Sequence, residues 1–185
     1  GLTSTSATPT DATPWAFDYL KPVDDENIIY SFHMYEPYEF TTKRVNKGRF
    51  SYSTSLPVDG LKTGFQLNKE GLSNFLKPIN QWSERHQIPS NRIWVGEFGC
   101  NRHIDGVEEY LQDLISIFNE YQWHWSFYAY REDTWEGMDY ELGTARVFYK
   151  YWDYESANTL HLHYDDIYEK VKDPILWKVF KSEFD

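Results

Sequence analysis

Glu97 stands at the end of the apolar run Ile93-Trp94-Val95, held between two glycines, Gly96 and Gly99. The run favours burial and extended geometry. The glycines leave room for close backbone approach or for positive φ. α/β enzymes place chemistry at the carboxyl ends of apolar strands, so a carboxylate here is a candidate nucleophile. Two other stretches offer it partners. Ile28–Tyr35 reads as a strand with Ile29, Ser31, His33 and Tyr35 on one side, turning polar at its end. Trp123–Tyr130 reads as another, with Ser126, Tyr128 and Tyr130 on one side and Arg131 next in the chain. In a parallel sheet the strand carboxyl ends share one edge. That edge gathers His33, Tyr35, Glu97, Tyr128, Tyr130 and Arg131: a carboxylate, hydrogen-bonding groups and flat rings. The set fits cleavage of a glycosidic bond, in which one carboxylate attacks the anomeric carbon and a second carboxyl protonates the leaving oxygen. A phenol or imidazole beside the nucleophile keeps it ionised and aimed. Tyr128, Tyr130 and Trp135 are the candidate sugar-stacking rings, with Arg131 beside them.

The composition agrees with a carbohydrate ligand and argues against other partners. Aromatics make up 19% of the 185 residues, with 8 Trp and 15 Tyr. Such rings bury large areas and also offer surfaces on which the apolar faces of sugars stack. The formal net charge of −11 disfavours nucleic acid and anionic membrane, which need cationic patches. No apolar run approaches the roughly 20 residues of a membrane span. The single cysteine, Cys100, excludes an internal disulfide and reads as a small buried residue. The chain starts at Gly1 without a signal peptide, so a processed mature chain or a fragment is expected.

The elements that must position these residues alternate. Residues 1 to 14 are small and polar and read as a loop or arm; Trp15–Leu20 suggests one helical turn. The Ile28–Tyr35 strand is apolar on both sides, as a strand buried on both faces would be. A long irregular segment runs from Glu36 to about Gln66. Leu72, Phe75, Leu76, Ile79 and Trp82 recur at helical spacing over Asn68–His86, with a kink or interruption expected at Pro78. The Glu97 strand follows. The next helix spans about Asp105–Tyr121, with Asp105 as its cap and Val107, Leu111, Leu114, Ile115 and Phe118 as its stripe. After the Trp123–Tyr130 strand, Asp173-Pro174 opens a last helix carrying Ile175, Leu176, Val179 and Phe180. This order implies right-handed crossovers and a parallel sheet of three strands, either an open layered sheet or a slice of a barrel.

Several of these residues carry a resemblance to a known family. His33-Met34-Tyr35 resembles the His-x-Tyr motif on strand 6 of glycoside hydrolase family 5, the cellulase-like (β/α)8 barrels. Gly96-Glu97-Phe98-Gly99 resembles the nucleophile setting at the end of their strand 7. The run from Ser31 to Thr41 and Trp125-Ser126-Phe127-Tyr128 on strand 8 are also similar to that family. The resemblance covers roughly residues 20 to 143 and the last helix. It implies that the whole chain, 1 to 185, is the C-terminal part of a single TIM-barrel catalytic domain, strands 6 to 8. It further implies that Glu97 is the nucleophile of a retaining endo-β-glucanase-like enzyme. Tyr35 would hydrogen-bond Glu97, His33 would lie on the site floor, and a strand-8 aromatic would form the sugar platform. That platform is usually Trp; here the candidates are Tyr128 and Tyr130.

One part of the family pattern is absent. The general acid/base is a Glu in an Asn-Glu-Pro motif ending strand 4, and no Asn-Glu-Pro occurs in these 185 residues. Glu36-Pro37 follows His-x-Tyr and belongs to the loop after that strand. The expectation is a site supplied with one carboxylate of two, inactive alone, with an N-terminal half-barrel chain as partner and a β-linked oligo- or polysaccharide as substrate. The chemistry needs no metal or organic cofactor, and a secreted or cell-envelope location is expected. The alternatives are a non-catalytic carbohydrate-binding module or a degenerate barrel fragment. Asp139 and Glu141 read as loop caps rather than sugar ligands. His161-Leu162-His163, near Asp165 and Asp166, has metal-pair spacing but reads as solvated surface.

Overall fold

The computed structural model describes residues 3–5, 14–52, 61, 64–130, 137–143 and 175–184. Four parallel strands lie in sequence order: β1 (Thr3–Thr5), β2 (Ile29–Met34), β3 (Ile93–Phe98) and β4 (His124–Phe127). Helix α3 (Lys69–Arg85) connects β2 to β3, and α4 (Val107–Glu120) connects β3 to β4. Two short helices, α1 (Tyr38–Thr41) and α2 (Lys43–Asn46), fold part of the stretch read as irregular. Helix α5 (Ile175–Lys181) completes the described elements.

The helices cover one face of the sheet. Tyr30, Phe32 and Met34 of β2 are buried there. Trp82 of α3 is fully buried, with ring contacts to Tyr30 at 4.9 Å and to Phe17 at 5.3 Å. Phe98 of β3 packs on Phe118 of α4 and Phe180 of α5. Phe127 of β4 stacks on Phe180 with ring centroids 4.0 Å apart. The stripes on α3 and α4 face this core as their spacing predicts; Phe75 alone of those residues is only partly buried. The opposite face is open among the described residues: Ile29 is 38% exposed, and Trp94, Gly96 and Ser126 are half-buried. On that face of β2, Ser31 is buried and His33 is half-buried.

Four local features depart from the sequence reading. Within residues 1 to 14, Thr3–Thr5 forms a strand pairing in parallel with Ile29–Ser31. Three polar residues carry no apolar alternation, and the open backbone of β2 supplies the pairing. Helix α3 runs through Pro78 without interruption. Leu72, Leu76, Ile79 and Trp82 anchor both halves on the sheet and offset the lost backbone hydrogen bond. Helix α4 is capped by Gly106 at φ +80, not by Asp105. Tyr52 packs directly on Gly106, and its N–H donates to the Asp105 carbonyl at 3.1 Å. Last, α1 and α2 shape the loop after β2, with buried Asn46 bonded to the backbone of Phe40 and Phe50.

Candidate active site

Two register shifts assemble the site. Phe32 pairs with Val95, but the next pair is His33 with Glu97, so Gly96 is the extra residue. A second shift separates β3 from β4 between Val95 and Phe98. Such bulges re-aim the side chains that follow them. Simple alternation from Ile93 and Val95 would carry Glu97 toward the helices. The bulge instead leaves Phe98 buried in that core and turns Glu97 to the open face beside His33. Gly96 has little room for anything larger: a Cβ there would lie 2.6 Å from Ser31 Oγ and 3.3 Å from the His33 ring.

On this face the Tyr35 hydroxyl donates to Glu97 Oε2 at 2.9 Å. His33 Nδ1 lies 3.6 Å from the same oxygen, too far for a good hydrogen bond. That nitrogen is buried and has no hydrogen-bond partner among the described residues. The Glu97 side chain is 42% exposed, so its carboxylate is held from behind and open in front. Burial, and then the charge of Glu97 and the hydrogen bond to it, push the Tyr35 phenol far above its ordinary value of 10.0. Tyr35 thus stays a neutral donor at any working pH, the form a carboxylate needs beside it.

The other candidates separate. Tyr128 follows β4, its N–H donating to the Phe98 carbonyl at 2.9 Å. Tyr130 is half-exposed and packs its ring on Trp177 of α5 at 5.0 Å. Arg131 and Trp135 lie outside the described residues, as do His161, His163, Asp165, Asp166 and Asp173-Pro174. Asp139 is buried and accepts the Glu141 N–H, capping the short 3₁₀ turn Tyr140–Leu142. Cys100 is buried. Among the described residues no group of three or more His, Cys, Asp or Glu is placed to hold a metal ion.

Sequence reasoning passed over the supports of the site. Tyr140, fully buried, accepts the Cys100 N–H at 2.8 Å and donates to the Cys100 carbonyl at 3.1 Å, fixing the chain just after β3. Arg102 is buried and donates to the Gly143 carbonyl at 3.1 Å. Nothing in the spacing of Tyr140 or Arg102 marks these contacts, which join segments some 40 residues apart.

The buried phenols predict an alkaline transition. Burial is the first cause raising Tyr35, Tyr52, Tyr110 and Tyr140 alike. In the unfolded chain these phenols ionise near 10.0; in the folded chain they keep their protons. The contribution of these phenols to stability is therefore constant below that pH and falls above it, by up to about 1.4 kcal/mol per pH unit for each fully buried phenol. Phenolate absorbance should show a step that coincides with loss of circular dichroism, as the buried tyrosines ionise on unfolding. One gradual step without unfolding would contradict this.

A parallel sheet with helices between its strands brings a carboxylate, a phenol and an imidazole together at its strand ends. The family model "Cellulase (glycosyl hydrolase family 5)" matches residues 4–134, and the chain belongs to that family. Endoglucanase C of Acetivibrio thermocellus is 25% identical over 146 residues, covering 66% of this chain and 40% of the relative. Endoglucanase C307 of Clostridium sp. (strain F1) matches with the same figures. The crystal structure of endoglucanase Cel5A from Thermotoga maritima is 19% identical with a TM-score of 0.48, covering 84% of this chain and 43% of that one. The chain thus spans about 40% of the length of the curated relatives it matches. Its parallel strands and interleaved helices are part of a (β/α)8 barrel, the fold class expected from the sequence.

Proposed function

We propose that this chain is the C-terminal part, strands 6 to 8, of a retaining glycoside hydrolase that cleaves β-linked glucan. The observation that carries the reading is the Tyr35–Glu97 hydrogen bond on a carboxylate that is otherwise open. Glu97 attacks the anomeric carbon and forms a covalent glycosyl-enzyme; the bond to the leaving oxygen breaks as a second carboxyl protonates that oxygen. Water, deprotonated by the same second group, then releases the sugar and frees Glu97. Tyr35 holds Glu97 ionised and aimed, and His33 forms the floor beside it. Tyr128 or Tyr130 supplies the ring for a sugar face, and Trp135 and Arg131 belong to the same proposal as further substrate contacts. The reaction uses no metal or organic cofactor.

The second carboxyl is the acid/base Glu of barrel sequence outside these 185 residues. The open sheet face fits this, because a lone slice of barrel leaves its interior side uncovered. The enzyme's location is secreted or cell-envelope on this reading. The test is an assay on soluble β-glucan. The chain alone should show no turnover, and the chain together with the preceding half-barrel, in one polypeptide or two, should hydrolyse the glucan. Turnover by the purified 22.1 kDa chain alone would overturn the two-part site.

A further inference from the structure

The Tyr35–Glu97 hydrogen bond joins side chains from two strands, so its length depends on what fixes the two strand ends relative to each other. Tyr35 is one residue past β2, and Glu97 is the penultimate residue of β3. One buried residue touches both segments. Thr41, at the end of α1 and 4% exposed, donates its hydroxyl to the Tyr35 carbonyl at 2.6 Å. Its own carbonyl accepts the N–H of Asn101, in the loop that follows Glu97, at 2.9 Å. A helical threonine ordinarily turns its hydroxyl to a carbonyl three or four residues back in its own helix. Thr41 reaches six residues back, out of α1 and onto the strand end. Tyr110 adds a second tie to the same turn, its hydroxyl donating to the Glu36 carbonyl at 2.8 Å.

We infer that Thr41 is a positioning residue, whose hydroxyl and carbonyl together hold Tyr35 at hydrogen-bonding distance from Glu97. The inference rests on the proposed roles of Tyr35 and Glu97, but the contact it concerns is measured without turnover. Thr41→Val keeps the shape and removes the hydroxyl; Thr41→Ser keeps the hydroxyl. The readout is exchange of the Tyr35 hydroxyl proton with water, followed by NMR on the full chain with isotopically labelled tyrosine. The Tyr140 hydroxyl, held by Cys100, serves as an internal reference.

Thr41→Val should speed Tyr35 exchange by about tenfold or more and leave Tyr140 within about twofold, as a local opening does. Thr41→Ser should restore the original rate. Unchanged Tyr35 exchange in Thr41→Val overturns the inference. Equal acceleration at both tyrosines overturns it too, because that reports general loosening. If Thr41→Val does not fold, Thr41→Ala is read by the same two criteria. A negative result here leaves the turnover test of Glu97 untouched, and failure of Glu97 as nucleophile leaves this contact standing.

Discussion

Glu97→Gln is expected to lower turnover at least about 10³-fold in the complete barrel while leaving glucan binding within about threefold. The amide keeps the size of the carboxylate and still accepts the Tyr35 hydroxyl. It cannot carry the negative charge that attacks the anomeric carbon, so the covalent intermediate is lost while the binding surface stays. The loss should fall on kcat and leave KM nearly unchanged, because the missing interaction exists only as the new bond forms. Unchanged turnover would remove Glu97 from the reaction. No measurable turnover in the parent assembly, with glucan still bound, would favour the binding-module reading.

Gly99→Ala is expected to destabilise the fold by about 1–3 kcal/mol, through crowding rather than backbone strain. A Cβ at this position would sit 2.6 Å from the Tyr140 hydroxyl and 2.7 Å from the Tyr128 carbonyl. Neither neighbour can yield easily. Tyr140 is fully buried and bonded twice to Cys100, and the Tyr128 carbonyl is backbone at the end of β4. Relief must come from moving the end of β3 away from β4, which carries Glu97 with it. Urea unfolding should show the lower midpoint, and in the assembled barrel kcat should fall as well. Gly48 supplies the control. It has positive φ but nothing within 4 Å of a Cβ, so Gly48→Ala should cost stability locally and leave kcat unchanged. A Gly99→Ala protein as stable and as active as the parent would contradict the crowding account.

Much of the fold was legible because the sequence is locally periodic. Ile28–Tyr35 contains β2, and Asn68–His86 brackets α3 to within a residue at each end. The Val107–Phe118 stripe lies within α4. What periodicity could not give is where it breaks. The extra residue at Gly96 changes which face Glu97 occupies, and it depends on β2 and β4 lying on either side of β3. The ring of Tyr130 escapes the alternation of β4 for a related reason: the strand ends at Phe127, and beyond it contact with Trp177 decides the placement. Thr41 and Tyr140 were invisible because a hydroxyl seeking a distant carbonyl leaves no pattern along the chain. β1 was missed because its pairing is a property of the β2 edge, not of Thr3, Ser4 or Thr5.

The most direct test of Glu97 as nucleophile is trapping with a 2-fluoro-glycoside that bears a good leaving group, applied to the assembled barrel. The fluorine slows both formation and breakdown of the glycosyl-enzyme, and the activated leaving group speeds formation alone, so the intermediate accumulates. Peptide mass analysis should then find one fluorosugar attached to the peptide containing Glu97, with activity lost in proportion. A fluorosugar on any other carboxylate, or full inactivation with Glu97 unmodified, would contradict the central claim.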